Sequence, residues 1–112
     1  MKVLIVEDEG MIAMLLVEMI EMLGLEIAGE ASSVSEALAL IDAMKPNAAI
    51  VDLKLRGEDS YPVMEKLREL GVPFAVASGY GGNIDHARAG EGMPIIAKPY
   101  LAADVEAALA RF

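Results

Sequence analysis

Five short apolar runs rich in β-branched residues alternate with longer stretches of helical spacing, and this alternation leaves few architectures open to the chain. Val3-Leu4-Ile5-Val6 is continuously apolar, as expected of a parallel strand buried on both faces. Further strands are predicted at Leu25–Ala28, closed by Gly29, and at Ala48–Val51, Phe74–Ala77 and Met93–Ala97. A helix is predicted over residues 10–23, with Gly24 as its C′ residue. Ser33 and Glu36 have the spacing of a capping box, opening a helix that runs to about Met44 before Lys45-Pro46-Asn47 stops it. Ser60 caps a third helix with Pro62 in its first turn, running to Leu70 and ended by Gly71. Residues 79–93 hold five glycines and support only a weak helix near Ile84–Ala89; Leu101–Arg111 forms the last. Five β-α units of this kind imply an α/β fold: a doubly wound, five-stranded parallel sheet with helices on both faces and right-handed crossovers.

A length of 112 residues fits one domain, residues 1–112, with no output domain expected beyond it. Eighteen acids against nine bases leave a formal charge of −9, which argues against a nucleic-acid surface or docking on an anionic membrane. Without cysteine there is no disulfide, thiolate metal site or Cys nucleophile. Glu7-Asp8-Glu9 cuts the first apolar run too early for a signal peptide, and the longest later run, Met11 to Val17, is far shorter than the roughly 20 residues that span a bilayer. A soluble, cytoplasmic domain is expected.

In open parallel sheets, active groups sit at the C-terminal strand ends, near the point where strand order reverses. Glu7 and Asp8 follow the first strand directly and Asp52 follows the third. In the order 2-1-3-4-5 these carboxylates converge in one acidic pocket, which is costly unless a cation compensates. Only oxygen donors are available, which suits a hard ion such as Mg²⁺. Ser78 follows the fourth strand and Lys98 the fifth, supplying a hydroxyl and an ammonium at the same sheet edge. Such a set suits holding a phosphoryl group on Asp52.

This order, an acid pair, Asp52, Ser78 and Lys98-Pro99 at successive strand ends, resembles the receiver domain of two-component response regulators across the whole chain. The resemblance implies the flavodoxin-like fold in the order 2-1-3-4-5. It makes Asp52 the phosphoacceptor, Ser78 the Thr/Ser switch and Lys98 the family's lysine, with a cis Lys98-Pro99 bond. It further implies Mg²⁺ held by Asp8, Asp52 and the Lys54 backbone carbonyl, with Glu7 acting through water. The implied phosphoryl donor is a sensor histidine kinase or a histidine phosphotransfer protein, and an unidentified downstream protein receives the signal. Slow self-hydrolysis makes such a domain a switch and not a conventional enzyme.

Two departures refine the resemblance. The strand-five aromatic of most receivers is Ile95 here, and an aromatic instead follows the proline, at Tyr100. With Val76-Ala77-Ser78-Gly79-Tyr80-Gly81, this is similar to the receiver subgroup with a Phe-Ala-Thr-Gly-Tyr-type motif. The Gly-rich segment from Gly79 to Gly92 is then expected to reorder on activation and expose a face bordered by Tyr100. On the first helix, Ile12, Leu15, Leu16, Met19, Ile20 and Leu23 follow the core-facing spacing. Met11, Met14, Val17 and Met22 are left with Glu18 and Glu21 on the other face, an adaptable docking surface. Met11, Met14, Glu18, Pro99 and Tyr100 are the partner-docking candidates.

Other readings fit less well. Gly79, Gly81 and Gly82 make no phosphate loop, because a dinucleotide fingerprint needs Gly at Ile84 and follows the first strand. His86, the only histidine, reads as a surface residue on the short fourth helix. A dehalogenase-type phosphatase needs a second Asp where Lys54 stands. A binding module that keeps the fold without accepting phosphate would not need Glu7, Asp8, Asp52, Ser78 and Lys98 together.

Overall fold

A computed structural model describes residues 1–79 and 84–112. The elements in chain order are β1 (Lys2–Val6), α1 (Gly10–Met22), β2 (Glu26–Ala31), α2 (Val34–Met44), β3 (Ala48–Asp52), β4 (Lys54–Leu55), β5 (Glu58–Asp59), α3 (Tyr61–Glu69), β6 (Phe74–Ser78), α4 (His86–Ala89), β7 (Ile95–Ala97) and α5 (Ala102–Leu109). The main sheet is parallel in the order β2-β1-β3-β6-β7. Counting only its five strands, this is the expected order 2-1-3-4-5.

Alternation along each strand divides the core into two layers. Leu4 and Val6 of β1, with Val51 and Val76, pack against Ile41, Val63, Met64 and Leu67 on the side of α2, α3 and α4. Val3 and Ile5, with Ile50 and Ile96, pack against Leu16, Ile20 and Val105 on the side of α1 and α5. Both faces are covered, so β1, β3 and β6 read as unbroken apolar runs.

Several local expectations are corrected. β2 does not stop at Gly29; it runs to Ala31, with a register shift where Val3 pairs Ile27 and Leu4 pairs Gly29. The glycine serves packing here, since a Cβ at that position would stand 3.1 Å from Leu40 Cδ1. A two-stranded antiparallel hairpin, β4–β5, follows Asp52 in a stretch for which no strand is predicted. Gly57, at φ +77°, makes its turn. Ser60 precedes α3 but makes no side-chain cap. Its hydroxyl points back toward the carbonyls of Asp52 (2.5 Å) and Leu53 (2.9 Å), tying the end of β3 to the start of α3.

The capping box at α2 forms with a shift of one residue. Ser33 Oγ accepts from Glu36 N–H at 3.2 Å, but Glu36 Oε1 accepts from the N–H of Ser32 at 2.8 Å. Glu58 from the hairpin accepts from Val34 N–H at 2.9 Å, so α2 and the loop after Asp52 are joined.

The face of α1 is rotated from the expected one. Ala13, Leu16 and Ile20 are buried, and Val17, Met19 and Leu23 pack beside them. Leu15, expected inside, is 51% exposed, and Val17, expected outside, is half-buried. The buried stripe of α1 runs through Ala13, Leu16 and Ile20, which leaves Leu15 on the outer side. Among the described residues no helix is long and apolar enough to cross a membrane.

Candidate functional site

β1 and β3 are adjacent and in register, with Val6 opposite Val51, so Glu7 and Asp52 emerge side by side at the C-terminal edge. Glu7 is further fixed by its N–H, which donates to Ala31 O of β2 at 2.9 Å. Both carboxylates are buried, at 3% and 4% exposure, and Asp8 is half-buried beside them. One oxygen from each of Glu7, Asp8 and Asp52 lies within 4.8 Å of the others.

Lys98 enters from the next strand pair. Ser78 pairs Ala97, and Lys98 N–H donates to Ser78 O at 3.1 Å, which sets the side chain pointing into the acidic pocket. Its ammonium donates to Asp52 Oδ2 at 2.5 Å and stands 3.2 Å from Glu7 Oε1. The remaining oxygens are held by backbone: Asp52 Oδ1 accepts from Lys54 N–H (3.2 Å) and Glu7 Oε2 from Glu9 N–H (3.1 Å). Arg56 Nε lies 3.9 Å from Asp8 Oδ2, but its side chain is largely exposed and adds little to the balance.

Three carboxylates thus face one close ammonium. Burial pushes the Glu7 carboxyl up to about 7, and the charge on Asp52 adds to this, against the lowering effects of the Glu9 N–H and Lys98. Burial disfavours the Lys98 ammonium, yet hydrogen bonds and charge from Asp52 and Glu7 outweigh it and raise its pKa. The cluster of Glu7, Asp8 and Asp52 therefore carries excess negative charge beside Lys98.

The structure places the other candidates as follows. Ser78 is buried at the end of β6, and its hydroxyl donates to Gly79 O at 3.3 Å. The Lys54 side chain leaves the pocket to pair with Asp59 at 3.4 Å. Met11, Met14 and Glu18 are exposed along α1, joined by Leu15 and by Met22. The Lys98–Pro99 bond is cis, and Pro99 is exposed. Tyr100 is half-buried and directed inward: its hydroxyl stands 3.4 Å from Glu7 Oε1 and its ring packs on the α1/α5 layer. Its position after Lys-Pro was the only signal in the sequence, and that signal pointed to docking. The Tyr100 phenol is raised by burial and then by the charges of Glu7 and Asp52. Ile95 is exposed on β7. His86 is exposed at the start of α4, its Nδ1 2.8 Å from Gly90 O. Tyr80 and Gly81 of the motif, and residues 80–83 of the segment expected to reorder, lie outside the described residues.

A buried Asp between an acid pair and a lysine, at the edge of a 2-1-3-4-5 sheet, defines a class, and sequence comparison agrees with it. The response regulator receiver domain family matches residues 3–110, and the chain belongs to that family. Among curated proteins, it is 32% identical over 118 aligned positions to the transcriptional regulatory protein PdtaR of Mycobacterium tuberculosis. That alignment takes in 99% of this chain but 58% of the relative, so the chain spans little more than half the length of the curated relatives it matches. Among solved structures, SdrG from Sphingomonas melonis Fr1 superposes with a TM-score of 0.85 at 38% identity, covering 97% of this chain and 92% of that one. The receiver domain of the PhyR response regulator from Erythrobacter litoralis superposes with a TM-score of 0.87 at 27% identity, covering 98% and 87%.

Proposed function

We propose that this receiver domain takes a phosphoryl group on Asp52 from a phosphohistidine of a sensor kinase or phosphotransfer protein, and that the acyl phosphate switches its binding to a downstream protein. The observation that carries this is the setting of Asp52. It is a buried carboxylate at a strand end, with Lys98 on one oxygen and a backbone N–H on the other.

An Asp52 oxygen attacks phosphorus in line; the new P–O bond forms as the P–N bond breaks, and the electron pair leaves with the imidazole nitrogen. Lys98 neutralises charge on the transferring group, and Ser78 is the hydroxyl available to donate to it. Burial of Asp52 and Glu7 excludes bulk water from the near side of the site, which slows hydrolysis of the acyl phosphate.

The donor set also fits a divalent ion. Three clustered carboxylates with one ammonium carry excess negative charge, and every free donor atom is a hard oxygen. Asp8, Asp52 and the Lys54 carbonyl would hold Mg²⁺, with Glu7 reaching it through water. When bound, it supplies positive charge to the phosphoryl oxygens. The exposed stripe of Met11, Met14, Leu15 and Glu18 supports docking of a helical partner on α1 beside the site.

The test is acyl-phosphate formation with phosphoramidate and Mg²⁺, read by intact mass and reversed by hydroxylamine. Wild type should label once. Asp52→Asn keeps the shape, removes the nucleophile and should not label; label retained on that variant would move the acceptor elsewhere.

A further inference from the structure

We propose that Tyr100 is a positioning residue of the acidic site, whose hydroxyl takes over Glu7 Oε1 when Lys98 turns toward a phosphoryl group on Asp52. The inference rests on the phosphoacceptor reading and adds a residue to it.

Among the described residues Glu7 Oε1 has two donors within reach: Lys98 Nζ at 3.2 Å and Tyr100 OH at 3.4 Å. The second distance is longer than the 2.5–3.0 Å that O–H···O bonds prefer, so in this state the ammonium holds the oxygen and the phenol stands by. Tyr100 also meets Lys98 directly, with Nζ 6.0 Å from the ring centroid. Its ring is anchored on the α1/α5 layer of the core. One side chain therefore touches both partners of the Glu7–Lys98 pair from a fixed base.

Phosphorylation moves the charge that Lys98 follows. In the reaction with phosphoramidate, an Asp52 oxygen bonds phosphorus, the P–N bond breaks, and its electron pair leaves on ammonia. The Asp52 carboxylate becomes a neutral acyl group and the negative charge shifts onto the phosphoryl oxygens. Lys98 is drawn outward with it, away from Glu7. Glu7 is 3% exposed, so bulk water does not reach Oε1 to replace the ammonium, and a metal-bound water would engage its other oxygen. An unpaired buried carboxylate oxygen would oppose the change. The Tyr100 hydroxyl needs to close by only roughly half an ångström to pair it at an ordinary distance. Ile95, which occupies the place of the usual strand-five aromatic, is exposed and reaches none of these groups through a polar atom.

The experiment uses the whole chain as wild type and as Tyr100→Phe, which keeps the ring and removes the hydroxyl. Resting melting temperature and Mg²⁺ affinity should match, because Lys98 holds Glu7 in that state. Affinity for beryllofluoride with Mg²⁺, and the rate of phosphoramidate labelling, should fall about tenfold or more, the scale of one hydrogen bond to a charged group. The chain has three tyrosines and no tryptophan, so the tyrosine absorption of wild type can be followed. Adding beryllofluoride with Mg²⁺ should shift it to the red, and that shift should shrink in Tyr100→Phe. Equal rates and affinities in the two proteins, or an identical spectral shift, would overturn the role of Tyr100 alone. No label on wild type would overturn the phosphoacceptor reading, and this inference with it.

Discussion

Glu7→Gln should stabilise the protein at high pH and destabilise it, or leave it unchanged, at low pH. In the folded state the Glu7 carboxyl is pushed up to about 7 by burial and by Asp52, against 4.5 for the free group. The native state therefore binds this proton more tightly than the unfolded chain does. Stability owed to Glu7 is fullest below pH 4.5, falls as pH rises toward 7, and is flat above. The full excursion is on the order of 3 kcal/mol, at about 1.4 kcal/mol per unit. Glutamine removes the charge but not every cost. Glu7 presents one oxygen to Lys98 and the other to Glu9 N–H, whereas an amide has one oxygen and must face one of these donors with its NH₂. That mismatch returns about 1–2 kcal/mol. The net gain at pH 8 is about 1–2 kcal/mol, or roughly 4 °C or more in melting temperature for a domain of this size. At pH 5, where Glu7 is protonated in wild type, only the mismatch remains and the sign reverses. Thermal melts of both proteins in EDTA at pH 5, 6, 7 and 8 measure the difference, and groups that the substitution leaves unchanged cancel between the two proteins. A wild-type minus variant difference that is the same at pH 5 and pH 8 would refute the reasoning.

Added Mg²⁺ should raise the melting temperature of wild type at pH 8 by relieving repulsion among Glu7, Asp8 and Asp52, and Asp8→Asn should lose most of that gain; an unchanged shift would put the ion elsewhere. Ser60→Ala should cost about 1–2 kcal/mol in urea unfolding, because the hydroxyl that ties the Asp52 and Leu53 carbonyls to α3 is lost from a site with no water access. Met14→Glu, on the exposed stripe of α1, should slow phosphotransfer from a partner kinase several-fold while labelling by phosphoramidate stays the same.

The central strands were legible because burial on both faces leaves β1, β3 and β6 no choice but apolar residues. The pocket followed from them, since Glu7, Asp8, Asp52 and Lys98 each sit one or two positions past a strand whose end is easily read. What the sequence hid depends on contacts between distant residues. Gly29 looks like a strand terminator until Leu40 is seen packed against it. Ser60 has the spacing of a cap, but the carbonyls at the end of β3 compete for its hydroxyl. Leu15 fits the core face of α1 in a helical projection, and only the packing of the folded chain shows that Ala13, Leu16 and Ile20 form the buried stripe. Tyr100 follows a cis peptide bond, and nothing in local spacing says that its hydroxyl reaches Glu7, 93 residues away.

The same pocket carries both the instability and the proposed activity, and the two are connected through Lys98. Two buried carboxylates share one ammonium, at 2.5 Å and 3.2 Å, and Asp8 adds a third acid beside them. A pocket in balance would have little to gain from a bound ion or a phosphoryl group. This one would gain twice on the proposed reading: a bound cation would relieve the repulsion, and esterification of Asp52 would remove one of the competing charges. Because Lys98 is shared, a change at Asp52 alters the surroundings of Glu7, whose backbone is tied to Ala31 of β2 and whose side chain stands 3.4 Å from the Tyr100 hydroxyl ahead of α5. On the proposed reading, the redistributed ammonium, and not a rotating aromatic on strand β7, would carry the signal out of the pocket.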